Sequence, residues 1–282
     1  MDSTVKGLHE SKSPKEHNTE VKISNLISAL ADNDELPLRL WNVLQNDVEI
    51  KAIHDYANVV AITRLGFNDH GPVHMKIVCY NALKMLRILR SAGVQTSLER
   101  ESVGTFSDSV SAVALAALLH DAGMTIARKG HELYSGIITY QTIKDILKRL
   151  LPDDAVRRTV IQSVAMEGIV GHMGTNPIHS IEAGLILIAD GCDMTKGRAR
   201  ISLEIPTKPS EGDIHKYSAN SIVKVHICCG TERPIKIDVH MKSEVGLFQV
   251  EEVLIPKIQS SPAKHLVELH ATVEGEESKR YM

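Results

Sequence analysis

The sequence predicts an α+β protein, in which a mainly all-α helical domain is followed by a small α+β C-terminal domain. Two observations predict this division. From Val21 to about residue 195 the apolar residues recur at intervals of three and four, as they do in amphipathic helices packed on a core. Beyond Arg200, in residues 223–228 and 235–240, they alternate with polar residues, which is typical of half-buried strands. We therefore expect a flexible tail over residues 1–20, a helical domain over 21–200 and a small α+β domain over 201–282.

The composition narrows the class of protein. With 282 residues, of which 43% are hydrophobic, the chain can bury a sizeable core. A formal charge of -3 without a basic block gives no electrostatic footprint for nucleic acid. No apolar run approaches the roughly 20 residues of a membrane span, and the first 20 residues lack the apolar core of a signal peptide. We expect a cytoplasmic protein that binds neither nucleic acid nor membrane.

The first helices follow a polar tail. Residues 1–20 hold too few apolar side chains to offset the entropy of ordering, so we expect order to begin near Val21. Between Val21 and Leu65 the apolar spacing predicts three helices, separated by polar breaks. His54 falls on the apolar stripe of the third, where a satisfied core histidine is the commoner outcome.

Further helices each carry a polar residue on the buried stripe, at or near one end. Pro72 suits the first position of a helix that His74 enters, with Val78 and Ala82 on the same face. The later helices are predicted over residues 107–122, 125–150, 153–171 and 178–195.

The apolar helix that ends at His120 and Asp121 offers two metal-ligating groups. A lone pair of this kind is usually a helix-end carboxylate beside a core histidine. Four other helix ends carry His74, His131, His172 and Asp190 on their inner faces, and core packing alone does not account for so many coincidences. Because imidazole and carboxylate groups together bind divalent Mn, Fe, Mg, Zn, Co or Ni, these residues predict a metal site.

The ordered set His74, His120-Asp121 and Asp190 resembles the H…HD…D signature of the HD-domain superfamily of metal-dependent phosphohydrolases. The resemblance covers roughly residues 50–200. His131 and His172 fall between the HD pair and the last Asp, where two-metal members of that superfamily place extra histidines. The resemblance implies a helical catalytic domain with a binuclear metal site.

Three segments, residues 68–74, 189–193 and 197–198, look like an archaeal-type branch of predicted HD phosphohydrolases with a small C-terminal domain. The chain departs from the wider pattern in two ways. Met124 stands where the family often has a lysine, which leaves the phosphate-contacting cation open. The GYP motif of cyclic-di-GMP phosphodiesterases is absent after His172, which argues against that substrate.

The chemistry of these residue types indicates how two ions would be shared. The first would be held by His74, His120, Asp121 and Asp190, and the second by Asp121, His131 and His172, with Asp121 bridging through its two oxygens. Such a pair of cations acidifies water and neutralises charge on phosphoryl oxygens. We expect hydrolysis of a small phosphate ester, a nucleotide being one candidate, with monoester and diester both open.

Supporting roles are expected for residues near these ligands. His70 could protonate the leaving oxygen, Asp193 could orient a ligand or replace Asp190, and Glu167 could serve similarly. Lysine and arginine near the ligands could hold phosphate, although a solvated surface charge is the commoner role for each. The candidates are Arg128, Lys129, Lys196, Arg198 and Arg200, of which Arg128, Lys196 and Arg198 are the substrate-binding residues that we expect.

Other functions stay open. The metal site could serve a sensor or ligand-binding module without turnover, or a di-iron oxygenase of the HD type. The histidines of the C-terminal unit, such as His226 and His240, lie on polar strand faces, so this unit is expected to lie outside the catalytic centre. It could shape the substrate entrance or form the contact of a homodimer.

Overall fold

The computed structural model describes residues 13–194 and 213–282. Lys196, Arg198 and Arg200 lie outside the described residues, so their expected roles stay predictions. The described part before residue 195 is helical: α1 Pro14–Leu30, α2 Leu36–Asn46, α3 Val48–Val59, α4 Pro72–Ser91, α5 Ser97–Arg100, α6 Phe106–Leu119, α7 His131–Leu150, α8 Ala155–Gly171 and α9 Ile181–Gly191.

Helix α1 begins at Pro14, earlier than the expected start of order at Val21. The hydroxyl of Ser13 caps it by accepting a hydrogen bond from the backbone N–H of Glu16 at 3.2 Å. Glu16 and Glu20 then pair with the buried Lys76 of α4, the second at 2.8 Å. The expectation of a flexible tail is therefore wrong for residues 14–20, because the charges of Glu16 and Glu20 are paired inside the fold and not solvated.

Helix α6 lies at the centre of the helical part. All of its residues are buried, and it packs against α2, α4, α8 and α9. Because α6 is enclosed on all sides, its carboxyl end also lies in the interior. His120 is the C-cap there and is fully buried. His54 on α3 is buried, and its Nε2 lies 2.6 Å from the carbonyl oxygen of Leu118, which confirms the expected core histidine.

The helices near the site are shorter than expected. Helix α6 ends at Leu119, a 3-10 turn spans Ala122–Thr125, and α7 begins only at His131. We expected a helix over residues 125–150. Gly130, with φ of 74°, makes a left-handed turn, and the helix begins only after it. As a result, Asp121 follows the end of α6 and His131 stands at the start of α7, and their side chains face each other.

The C-terminal part holds the sheet, as the predicted fold class requires. Its elements are α10 Asp213–Ser221, β1 Ile222–Cys229, β2 Ile235–Met241, α11 Leu247–Gln249, α12 Ile255–Ser260, β3 Val267–Val273 and β4 Lys279–Arg280. The strand order is β1-β2-β3-β4, with β2 and β3 parallel and the other pairs antiparallel. The short strand β4 was not expected. A π-helical turn over Val250–Leu254 separates α11 from α12.

Parallel pairing of β2 and β3 requires a long crossover, and α11 and α12 lie on it. Helix α12 packs against α9 of the helical part. One cluster of buried apolar side chains includes Leu115 of α6, Ile186 of α9, Ile258 of α12 and Val239 of β2. The crossover is therefore seated on the helices that carry the site.

None of the helices described by the structure is both long enough and apolar enough to cross a membrane.

Candidate metal centre

The six expected ligands come together at the ends of five helices. They are His74 in the first turn of α4, His120 and Asp121 after α6, His131 at the start of α7, His172 after α8 and Asp190 in the last turn of α9. All six are buried, with no more than 7% of any residue exposed. The structure thus forms a buried cluster of histidine and aspartate side chains that could hold metal ions.

Asp121 divides its two oxygens between two pairs of histidines. Its Oδ2 lies 3.3 Å from Nε2 of His74 and 3.4 Å from Nε2 of His120. Its Oδ1 lies 3.1 Å from Nε2 of His131 and 3.4 Å from Nε2 of His172. A carboxylate in this position can bridge two ions.

Asp190 completes the first of the two sides. Its Oδ1 lies 3.3 Å from Nε2 of His74 and 4.0 Å from Nε2 of His120. His120, His172 and Asp190 also form a group within ligand range, so the two sides are continuous. We assign His172 to the second side because its Nε2 faces the same oxygen of Asp121 as His131.

Nδ1 of each of the four histidines has a hydrogen-bond partner on the side of the ring away from the cluster. His120, His131 and His172 direct Nδ1 to the backbone oxygens of Ala117, Arg128 and Ile169, at 2.9, 2.9 and 2.7 Å. Nδ1 of His74 lies 2.7 Å from Oδ2 of Asp193. Since carbonyl and carboxylate oxygens accept, each Nδ1 donates, and in the neutral ring the inward Nε2 carries a lone pair. Metal-ligating histidines are usually oriented in this way.

The inward atoms fit metal ions better than they fit one another. Nε2 of His74 lies 3.2 Å from Nε2 of His120, and Nε2 of His131 lies 3.0 Å from Nε2 of His172. Two lone pairs at such distances repel unless a proton or cation lies between them. Ligands about 2.0–2.2 Å from one ion, at tetrahedral or octahedral angles, lie roughly 3.0–3.5 Å apart, which matches most of these distances. Oδ2 of Asp121 is buried without a hydrogen-bond donor, which is also expected of a metal ligand.

The protonation states favour ligation with one exception. Burial opposes ionisation of Asp121, but the imidazole groups of His120, His131 and His172 around it outweigh burial and hold its pKa well below the usual range. Burial lowers the pKa of His172 to about 4, so this ring is neutral at physiological pH. The pKa of His131 is raised because its contact with Asp121 outweighs burial. A proton therefore competes with a metal at His131.

Gly123 allows the chain to bring Asp121 and His131 together. A Cβ atom at this position would lie 2.1 Å from the carbonyl oxygen of His131 and 2.5 Å from the backbone nitrogen of Ser135. The N–H of Gly123 donates to Oγ of Ser135 at 2.7 Å. Only glycine permits this contact between the turn after α6 and the first turn of α7.

A cavity of about 740 Å³ opens onto the cluster. Asp121, His131, His172 and Asp190 line its inner end. The C-terminal part contributes Gln249, Glu252, Val253, Pro256 and Lys257 to its wall, so the expectation that this unit could shape the entrance fits the structure. The volume suits a small organic ligand.

The other residues singled out in the sequence have different positions. His70 lines the cavity with its ring centroid 5.9 Å from that of His74, and Arg128 lines it with its guanidinium 5.4 Å from the centre of the Phe67 ring. Asp193 holds His74, as a ligand-orienting residue would. Glu167 has another partner: it accepts hydrogen bonds from the backbone of His179 and Ser180. Lys129 is exposed.

Lys257 is the residue at the site that sequence reasoning missed. Its Nζ pairs with Oδ2 of Asp190 and donates to the carbonyl oxygen of His172 at 3.1 Å. The expectation that the C-terminal unit lies outside the centre is thus wrong for this side chain, although no His or Cys of the unit, as far as it is described, joins a ligand group. Nothing in the local sequence distinguishes Lys257 from a surface lysine, since its contacts depend on how α12 packs.

The chain is similar to a relative of unknown role. It is 38% identical over 241 residues to the uncharacterized protein MJ1020 of Methanocaldococcus jannaschii, and the match covers 86% of this chain and 91% of that protein. No family model and no solved structure matches the chain.

Proposed function

The chain belongs to the same family as protein MJ1020 of Methanocaldococcus jannaschii, and we propose that it is a divalent-metal-dependent phosphohydrolase of the HD type. The observation that carries the proposal is the division of the Asp121 oxygens between two pairs of inward-facing histidine nitrogens. This arrangement suits two adjacent ions, which is the arrangement of many phosphate-hydrolysing centres. The order of the ligands along the chain supports the HD assignment.

The residues divide into two sets of ligands. Oδ2 of Asp121 and Oδ1 of Asp190 join His74 and His120 in the first set, and Oδ1 of Asp121 joins His131 and His172 in the second. Divalent ions in these positions would acidify water and neutralise the charge that develops on phosphoryl oxygens. The protein's own task is to hold these ligands in fixed orientations, through Asp193 and the three backbone carbonyls behind the rings.

Arg128 and His70 are placed to act on the substrate. Arg128 lines the cavity next to the second set of ligands, where its guanidinium can pair with a phosphate oxygen. His70 is 5% exposed, lines the same cavity and directs Nδ1 to the carbonyl oxygen of Asn68 at 2.6 Å. Because Nδ1 donates to that carbonyl oxygen, Nε2 of the neutral ring carries a lone pair, and His70 would need a second proton, at Nε2, to protonate the leaving oxygen.

The substrate that we propose is a small phosphate ester, with a nucleotide as the leading candidate. The cavity volume admits a molecule of that size, and the ring of Phe67, which is 39% exposed, lies on its wall beside Arg128. An aromatic face of this kind can stack against a base. The phosphate would then lie at the inner, metal-binding end.

A phosphate-release screen tests the proposal. Full-length protein is stripped with a chelator, loaded with Mn²⁺, Mg²⁺, Fe²⁺, Zn²⁺, Co²⁺ or Ni²⁺, and assayed against nucleotides and small phosphomonoesters and phosphodiesters. We expect phosphate release or diester cleavage that needs added metal and is lost in His120→Ala. Bound metal with no hydrolysis of any ester would favour a sensor module. Oxygen consumption by the iron-loaded protein would favour a di-iron oxygenase.

A further inference from the structure

Lys257 joins the C-terminal unit to the metal centre through one carboxylate. Its Nζ contacts Oδ2 of Asp190, whereas Oδ1 of the same group faces His74 at 3.3 Å. The lysine side chain is only 12% exposed and that of Asp190 only 9%. The two oxygens therefore have separate partners, a lysine on the outer side and the ligand set on the inner side.

The cation also lies where two helices end. The carbonyl oxygen of His172, which accepts from Nζ at 3.1 Å, belongs to the C-cap of α8. Asp190 is in the last turn of α9. A positive charge is favoured at the carboxyl end of a helix because the carbonyl groups there carry negative partial charge. The ammonium group is thus attracted by the carboxylate of Asp190 and by the carbonyl groups at the helix ends, which hold it next to Asp190.

Glycines on α9 leave room for the crossover segment to pack closely. A Cβ at Gly191 would lie 3.1 Å from Cδ of Lys257 and 3.2 Å from Cδ1 of Leu254. A Cβ at Gly184, on the same face of α9, would lie 2.5 Å from Oγ of Ser261. The crossover segment therefore packs directly on the α9 backbone, and the fully buried Leu254 and Ile258 anchor it there.

These contacts follow from the topology of the C-terminal unit. The crossover exists because β2 and β3 are parallel, and α12 is the part of it that contacts α9. A buried carboxylate needs a compensating charge in a fixed position, or it turns toward solvent. Lys257 of the C-terminal unit supplies that charge to Asp190. Asp193 of the helical part likewise holds His74 in place, by accepting a hydrogen bond from Nδ1.

We propose that Lys257 is a positioning residue that orients Asp190 as a metal ligand, so that the first metal site is complete only with the C-terminal unit in place. The inference rests on the metal centre of the proposed function. It extends that function by giving the C-terminal unit a part in metal binding. Residues of this supporting kind typically change metal affinity by about 10–100-fold when they are replaced.

Calorimetric titration of metal-free, full-length protein with Mn²⁺ tests this role. The variants are Lys257→Met, which keeps a similar stem without the charge, and Lys257→Arg, which restores a cation. Lys264→Met is the matched control, because Lys264 is an exposed lysine of the same unit. We expect Lys257→Met to weaken one of the two binding steps by about 10–100-fold and to leave the other unchanged. Lys257→Arg should recover part of the loss, and the control should bind as the wild type does.

The outcomes separate this inference from the proposed function. Wild-type affinity at both steps in Lys257→Met would overturn the inference alone, as would equal weakening of both steps. A Lys257→Met chain that fails to fold at saturating Mn²⁺ would also overturn it, because the lysine would then support the fold and not one ligand. A wild-type protein that binds no Mn²⁺, Zn²⁺ or Fe²⁺ would overturn both.

Discussion

His131 and His172 face each other through Nε2 atoms 3.0 Å apart, although Nδ1 of each ring donates to a backbone carbonyl oxygen. Two neutral rings in this orientation point their Nε2 lone pairs at each other, and the lone pairs repel. A divalent ion between the rings would instead be bound by both of them. Burial lowers the pKa of His172 to about 4, whereas the contact with Asp121 raises the pKa of His131, so a proton between the rings would lie on Nε2 of His131 and would compete there with a metal ion. Since Oδ1 of Asp121 faces both of these nitrogens, the pair and this carboxylate could hold one ion.

Removing either histidine should cost one metal ion. His131→Ala and His172→Ala leave the first set of ligands intact, so each variant should retain about one ion per chain and lose most hydrolysis. His54→Ala is the matched control, since His54 is a buried histidine that contacts the carbonyl oxygen of Leu118 and belongs to none of the ligand groups. It should lose about 2–5 kcal/mol of unfolding free energy through the cavity it leaves, with metal content unchanged. Elemental analysis beside thermal unfolding measures both quantities, and two ions per chain in His131→Ala or His172→Ala would remove that histidine from the ligands.

Replacing Arg128 should weaken substrate binding without loss of metal. Arg128→Gln removes a cation from the cavity wall, so we expect kcat/KM for a phosphate ester to fall by about 10–100-fold, the cost of one or two charge-assisted hydrogen bonds. The neighbouring Lys129 is exposed, and Lys129→Gln is the control, with near wild-type kinetics expected. Equal kcat/KM in Arg128→Gln and the wild type would remove Arg128 from the substrate site.

His54 should make the metal-free protein less stable in acid. Burial lowers its pKa from 6.5 to about 4 in the folded chain, so the unfolded chain takes up the proton first as the pH falls. The free energy of unfolding should therefore decrease between pH 6.5 and about 4, by about 3 kcal/mol from this group. Denaturant unfolding of His54→Gln across the same range, in chelator, should show a decrease smaller by that amount. If the free energy of unfolding depends on pH in the same way in both proteins, His54 does not have a lowered pKa in the folded chain.

The sequence was sufficient to predict that the His and Asp side chains of the cluster face the interior, because they follow the helix periodicity. His74, His131 and Asp190 lie on the apolar stripes of their helices, and a polar residue at such a place must face the interior. Their convergence could not be calculated from one sequence, but their number and residue types suggested it.

The supporting residues were harder to predict. The partners of the Nδ1 atoms are mainly backbone carbonyls three residues before each ring, and every residue has such a carbonyl. Lys257 reaches Asp190 because α12 packs against the glycines of α9. This contact belongs to the tertiary structure, and the local sequence does not indicate it. The start of α1 was misplaced for a similar reason, since the buried Lys76 that pairs with Glu16 and Glu20 lies on another helix.

The most direct test of the account is the number of ions per chain in the wild type and in Asp121→Asn. The substitution keeps the shape of the side chain but removes the charge with which one group faces four histidines. Elemental analysis after equilibration with Mn²⁺, Zn²⁺ or Fe²⁺ and removal of free metal should give two ions per wild-type chain. It should give fewer than one in Asp121→Asn, with hydrolysis near background. Equal metal content in the two folded proteins, or no metal in either, would contradict a binuclear centre bridged by Asp121.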